Sequence, residues 1–234
     1  MRKEAFKALV GSHNYNLNDA DSDKDYKLFY YPTFDDLYFG DKVSKSKVSK
    51  TEDIEFHDIR KLPDMLWKSN VNFMEVLFST EVVANDNLYK ELHQKRESIA
   101  RMNLPYLYDA CMGMYFNKRK SYDKQNEKGD EKAANKHIMG AFRILDFLFR
   151  YQQGDFLNFE ESINYHNEDP YRDFLFTAKE GKVFNVIDRL NNKLRIIEEI
   201  KHRYKDQELD HGVNKFVIDT VKHYVKENIY EELN

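Results

Sequence analysis

"LVGSHNYNLNDADSDKDYKLFYY", residues Leu9–Tyr31, sets a Gly-Ser pair ahead of aspartates at alternate positions, Asp19, Asp21, Asp23 and Asp25, and closes in an aromatic run. Its last part, "DYKLFYY", is rich in strand formers and is stopped by Pro32. Along a strand, residues i and i+2 share one face, roughly 6 to 7 Å apart. Asp23 and Asp25 are therefore expected to project together where the strand begins. Two ionised carboxylates that close repel, and the arrangement is tolerated where solvent or a cation offsets it. Magnesium suits the pair, being a hard ion held by one or two carboxylates plus substrate phosphates. A calcium loop is the rival, since Asp19, Asp21 and Asp23 match its first, third and fifth positions. It fails at Lys24 and Tyr30, where glycine and glutamate are required. An acidic turn, "NDADSD", explains Asp19 and Asp21 but gives Gly11 and Ser12 no role. Gly11 permits a turn with exposed amides and Ser12 adds a hydroxyl, a combination able to hold a terminal phosphate.

Outward from this stretch, "EAFKALV" is a short apolar run ended by Gly11, and "DIEFHDI" alternates Ile54 and Phe56 against Asp53, Glu55 and His57. Both read as strands, the second with one buried face. "DKVSKSKVSK", from Asp41 to Lys50, carries lysines and serines with little bulk. Its plain reading is a solvated loop; its functional reading is a basic flap over an anionic substrate. From Leu62 the period changes: Pro63 suits the first turn of a helix, and later segments repeat apolar residues at three- and four-residue spacing. "DKQNEKGDE", Asp123 to Glu131, is expected to break two of them. The expected fold is α+β, with a small mixed-sheet unit over residues 1–85 followed by an all-helical unit over 86–234.

Composition sets the outer bounds. With 41% hydrophobic and 33% charged residues the chain of 234 has the balance of a globular protein with a core. Only 8 Gly and 4 Pro agree with long helices. A net charge of -4 carries no general nucleic-acid signature, so RNA or DNA binding needs a local basic patch. The one cysteine, Cys111, excludes an intrachain disulfide and fits a reducing compartment. "MRKEAFKALVG" is too short and charged for a signal peptide, and no apolar run reaches membrane length. A cytoplasmic location without a membrane partner is expected.

"GSHNYN", followed ten residues after the serine by "DKD", resembles the nucleotidyltransferases of the DNA polymerase beta superfamily. In that superfamily a Gly-Ser turn precedes two metal-binding aspartates on a strand, and a later strand supplies a third carboxylate. More closely, "GSHNYNL" with "SDKDYK", and "FHDIRKLPDMLWKSNVNFMEVLFS", are similar to a bacterial and phage branch of predicted nucleotidyltransferases. Weaker similarity runs through "KAANKHIMGAFRIL" and "DPYRDFLFTAKEGKV". Asn16 stands where that branch has glycine, and Lys24 where an apolar residue is commoner.

The resemblance implies two Mg2+ ions, with Mn2+ as the alternative, held by Asp23, Asp25 and a third acid. Glu55 is the first choice for that acid because it faces away from Ile54 and Phe56. Asp53 shares its face, and Asp58 matches a recurrent acidic position. The third acid is also the candidate base for the acceptor hydroxyl. Gly11 and Ser12 would hold the nucleoside triphosphate, helped by Arg60, Lys61, Asn70, Lys136, His137 and Arg143. Asn72 and Glu75 match the same segment, with its Glu-x-Leu-Phe pattern, and would line the nucleotide pocket with Asn70. Ordinary structure competes at several of these: a strand-to-helix junction for Arg60 and Lys61, a helix-surface acid for Glu75, a core histidine for His137. Tyr165, Tyr171 and Arg172 read as stacking groups for a base or, more simply, as packing between helices.

The implied activity is transfer of NMP from an NTP to a hydroxyl of an RNA end, a protein or a small molecule, releasing pyrophosphate. Two alternatives stand beside it: a nucleotide- or RNA-binding module with a degraded site, and a helical interaction protein with an acidic loop.

Overall fold

β1 (Glu4–Val10) and β2 (Lys24–Tyr30) pair antiparallel, and the segment between them holds the Gly-Ser turn. The computed structural model describes residues 2–20, 22–49 and 52–234, so Asp21 and Lys50 lie outside the described residues. In chain order there follow α1 (Phe34–Tyr38), β3 (Ser44–Val48), β4 (Glu52–Asp58), α2 (Leu62–Trp67), α3 (Val71–Met74), β5 (Val82–Ala84), α4 (Leu88–Gln94) and α5 (Arg96–Arg101). The helices then continue as α6 (Leu104–Glu127), α7 (Glu131–Gln153), α8 (Phe159–Ile163), α9 (Pro170–Lys179), α10 (Val186–Glu199), α11 (Lys201–Lys205) and α12 (His211–Leu233). This is the expected α+β architecture, a mixed sheet followed by a largely helical region.

The five strands form one sheet in the order β3-β4-β2-β1-β5. β2 and β4 run parallel, while the other neighbours are antiparallel. Phe6 of β1 stacks on Phe29 of β2 at 4.7 Å between ring centres, and both rings are buried. Leu62 and Leu66 of α2 and Leu88 and Leu92 of α4 are fully buried with them. Pro63 sits in the first turn of α2, where its missing N–H costs nothing.

Two elements depart from the sequence reading. The expected loop over Asp41–Lys50 contains β3, an edge strand with every residue exposed. Its lysines do not prevent pairing with β4; lysine on an edge strand deters a further strand from adding there. The expected break over Asp123–Glu131 is present but shorter than the polar stretch, because α6 runs on to Glu127 and α7 begins at Glu131. Lys, Gln and Glu are good helix formers, and polarity alone ends no helix. The stop comes at Gly129, whose φ of 75° leaves the helical region, and Asp130 then caps α7 by accepting from Ala133 N at 3.1 Å. β5, three residues long, carried no signal of its own.

The chain divides into two compact units, one made of Met1–Asn103 with Leu209–Asn234, the other of Leu104–Glu208. The first therefore contains the whole sheet, residues 86–103 and α12. In the second, α6 and α7 pack along each other, and Leu107, Cys111, Ala141 and Leu145 of these helices are buried. Buried charge there is compensated: Asp146 accepts from Lys193 Nζ at 2.8 Å and from the Tyr165 hydroxyl at 3.1 Å. Tyr165 is thus a packing residue, stacked on Tyr171 at 6.5 Å. Among the described residues no helix is long and apolar enough to cross a membrane.

Candidate active site

The Gly-Ser turn follows directly on β1. Gly11 has φ of 73°, and a Cβ placed on it would lie 2.7 Å from Asp25 Oδ2. Glycine is therefore required twice, for the left-handed backbone and for the close approach of the carboxylate. The turn is closed by Tyr15 N donating to Gly11 O at 3.1 Å and Leu17 N to Ser12 O at 2.8 Å. Asn16 has φ of 60°, which explains why asparagine can take the place of glycine: it is among the residues that tolerate this region.

Register decides which acids meet. In the parallel pair of β2 and β4, Asp25 is level with Asp53 and Lys27 with Glu55. Alternation puts all four on one face of the sheet. They line a cavity of about 400 Å³ together with Gly11 and Glu75, a volume within the range of small-molecule sites. Asp23 precedes β2, is exposed, and does not line this cavity. Lys24 points to the other face, where it pairs with Glu81 at 2.9 Å.

Glu55 is committed to neighbours. It is ion-paired with the buried ammonium of Lys27 and accepts from His57 Nε2 at 3.2 Å. The His57 hydrogen bond, then that of Lys27, holds its carboxyl down at about 2. A carboxylate so stabilised is a poor proton acceptor at neutral pH. Asp53 is level with Asp25 and accepts a long hydrogen bond of 3.3 Å from Ser49 N. Asp58 is buried and structural: it caps the next turn by accepting from Arg60 N at 2.9 Å and grips the Arg60 side chain, with Nη2 to Oδ2 at 2.6 Å.

That grip also locates the other expected phosphate ligands. Arg60 is held by Asp58 and by the Asp41 carbonyl. Lys61 donates to Ser44 Oγ at 2.7 Å. Asn70 caps α3 by accepting from Asn72 N at 3.1 Å, and this short helix leads into Glu75. Lys136, His137 and Arg143 all lie on α7, in the second compact unit.

Glu75 is the residue that sequence reading undervalued. It is only 2% exposed, and its Oε2 accepts from Gly11 N at 2.9 Å. The amide expected to meet a phosphate is thus already bonded to a carboxylate of the same chain. The Glu-x-Leu-Phe motif pointed at Glu75, but nothing in its local pattern indicated a partner 64 positions away.

Oxygen ligands on Asp25 and Asp53 match a hard divalent cation, and two carboxylates are what magnesium takes from protein when phosphates supply the rest. Among the described residues no group of three or more His, Cys, Asp or Glu side chains is drawn together to hold a metal. Asp25 and Asp53 thus offer the kind of oxygen donors that a hard divalent cation takes.

A mixed sheet with a Gly-Ser turn packed against a strand-borne aspartate, backed by helices, defines the nucleotidyltransferase class of the DNA polymerase beta superfamily. The match is to the RNA repair pathway DNA polymerase beta family (RlaP) over residues 4–212, and this chain belongs to that family. No curated protein matches in sequence. Among solved structures the chain is similar to a nucleotidyltransferase-like protein from Exiguobacterium sibiricum 255-15, at 11% identity and a TM-score of 0.34, covering 86% of this chain and 72% of that one.

Proposed function

We propose that this protein is a magnesium-dependent nucleotidyltransferase moving NMP from an NTP to a hydroxyl at an RNA end. The observation that carries the reading is the level placement of Asp25 and Asp53 beside a glycine that admits Asp25 by lacking a side chain. The family description, RNA repair, favours RNA over a protein or small-molecule acceptor. Asp25 and Asp53 would hold Mg2+, with Asp23, two residues before Asp25, as the further carboxylate that the resemblance implies. When bound, the ion would neutralise the phosphate oxygens of an in-line displacement.

The chain's own side chains do the rest. Ser12 and the amides after Gly11 bind the terminal phosphates. Lys27, oriented by Glu55 and His57, puts a fixed cation in the cavity wall. Glu55 thus serves the site by positioning Lys27.

Incubation with α-labelled NTPs, Mg2+ and an RNA bearing a free 3′-hydroxyl should label the RNA. Asp25→Ala should cut labelling by about a hundredfold or more, since it removes a metal-holding carboxylate, and Asp23→Ala by less. Equal losses, or none, would reject the roles assigned to these two aspartates. A second reading, a nucleotide-binding module without chemistry, draws on the lack of a three-acid group among the described residues. It is the outcome if NTP with Mg2+ raises the melting temperature and no acceptor is ever labelled.

A further inference from the structure

α1 is short but firmly held. Thr33 and Asp36 close its N-terminus as a capping box, and Arg2 grips Asp36 through Nε at 2.8 Å and Nη2 at 2.6 Å. The helix and its C-cap nevertheless present Phe34, Leu37, Tyr38 and Phe39 to water, with Tyr38 75% and Phe39 71% exposed. The rings of Tyr38 and Phe39 stand at 86° to each other, their centres 5.0 Å apart. Single exposed apolar residues are ordinary, whereas a contiguous group on a fixed element marks a contact surface.

Phe39 leads through Gly40 into β3, and the link is tied to the sheet. The Asp41 carbonyl accepts from Arg60, and the Val43 carbonyl accepts from the Tyr30 hydroxyl at 2.6 Å and from Asp58 N at 3.3 Å. Residues 38–48 set Lys42, Lys45 and Lys47 against one acid, Asp41, in a chain of net charge -4. These three lysines are exposed, and none has an ion-pair partner among the described residues. Lys7, Lys24 and Lys27 on the neighbouring strands are instead paired, with Glu52, Glu81 and Glu55. Lysine on an edge strand wards off a further strand, which accounts for Lys45 and Lys47 but not for the rings ahead of them.

β3 also borders two hollows. Lys45 lines a groove of about 370 Å³ with Arg2, Glu4, Leu28, Tyr30 and Phe56. Ser46, Lys47 and Val48 line the cavity that holds Asp25 and Asp53. Lys45 and Lys47 share a face of the strand, roughly 6 to 7 Å apart, a spacing close to that of successive phosphates in an extended nucleic-acid strand. Everything named lies in the first compact unit.

We propose that the edge from Tyr38 to Lys47 is a track for single-stranded acceptor RNA, with bases stacked on Tyr38 and Phe39 and phosphates on Lys45 and Lys47, so that the 3′ end enters the cavity of Asp25 and Asp53. A row of cations alone suits any polyanion, and exposed rings alone suit any apolar partner. The two together, ending at the cavity, select a strand that offers both bases and phosphates. A second copy of this chain docked on the same patch would bring a second set of unpaired lysines toward the first. The track rests on the proposed transfer to an RNA end and adds where the RNA is held.

The test is fluorescence anisotropy of the full chain with a labelled single-stranded RNA of about 12 nucleotides, in EDTA, over a series of salt concentrations. The wild type should bind, and bind a hairpin of the same length more weakly, because paired bases cannot splay onto rings. Tyr38→Ala with Phe39→Ala should weaken binding about tenfold or more and leave the salt slope unchanged. Lys45→Gln with Lys47→Gln should flatten the slope of log affinity against log salt by about 1.4, about 0.7 for each lost phosphate contact. Lys124→Gln, at an exposed position of α6, should change affinity less than twofold. All these side chains are exposed, so melting temperatures should stay close to that of the wild type. A wild type that ignores the RNA, undiminished binding in either double variant, or an equal loss in Lys124→Gln overturns the track. So does a wild-type dimer that Tyr38→Ala with Phe39→Ala dissociates while RNA binding persists. RNA binding that needs both the rings and the lysines upholds the track even where no label is transferred. Labelling of RNA that needs Asp25 but neither double-variant site overturns the track and leaves the transfer standing.

Discussion

Two pairs of charged side chains flank β4, and they are built on opposite principles. At its C-terminal end Asp58 and Arg60 are of opposite sign, tightly bonded and largely shielded from water. At its N-terminal end Asp53 faces Asp25 across the parallel ladder with the same sign. A buried ion pair closes its own ledger, and neither partner is available for chemistry. Like charges held level on neighbouring strands are mildly destabilising, and such an arrangement makes sense where something binds between them. Three of the four lie within residues 53–60 and Asp25 lies on β2, so it is their pairing, not their composition, that separates structure from site.

Breaking the first pair should give the largest effect. Arg60→Ala leaves Asp58 buried without its partner and should cost about 3 kcal/mol or more of stability in urea unfolding. Nucleotidyl transfer per folded molecule should change little, and a selective loss of activity would return Arg60 to the phosphate site. The second pair should respond the other way. Asp53→Asn, measured with EDTA present, should raise stability by about 0.5 kcal/mol by removing a like-charge contact. The same variant should lose the Mg2+-dependent rise in melting temperature; a wild-type response to Mg2+ would move the third-strand acid back to Glu55.

The smallest effect concerns Glu55 and pH. Its carboxyl is lowered from 4.5 to about 2 in the folded protein, so its contribution is present above pH 4.5 and disappears as pH falls toward 2. Glu55 is half exposed, so solvent screening keeps that contribution small. Thermal melts from pH 5 to pH 2 should therefore fall slightly less steeply for Glu55→Gln than for the wild type. Identical slopes would show that Lys27 and His57 do not hold the carboxylate in solution.

Much of the sheet was legible from residue type. Alternation in "DIEFHDI" and the aromatic run of "DYKLFYY" marked β4 and β2, and the Gly-Ser pair marked the turn. What remained hidden depends on register and long-range closure. Facing direction makes Asp53 and Glu55 equivalent, and only the parallel alignment of β2 with β4 sets Asp53 beside Asp25 and hands Glu55 to Lys27. Glu75 reads equally as a pocket residue or a surface acid, because the Gly11 amide that donates to it comes from a distant segment. β3 was masked by its lysines, which suit an exposed edge as well as a loop.

The hydrogen bond from Gly11 N to Glu75 Oε2 at 2.9 Å gives the turn a resident anion. A phosphate reaching that amide must evict the carboxylate, so its net affinity there is a difference between two bonds of similar kind. On the proposed function, a metal-bound triphosphate would have to bring further contacts to win that exchange, and without it the carboxylate holds the turn in shape.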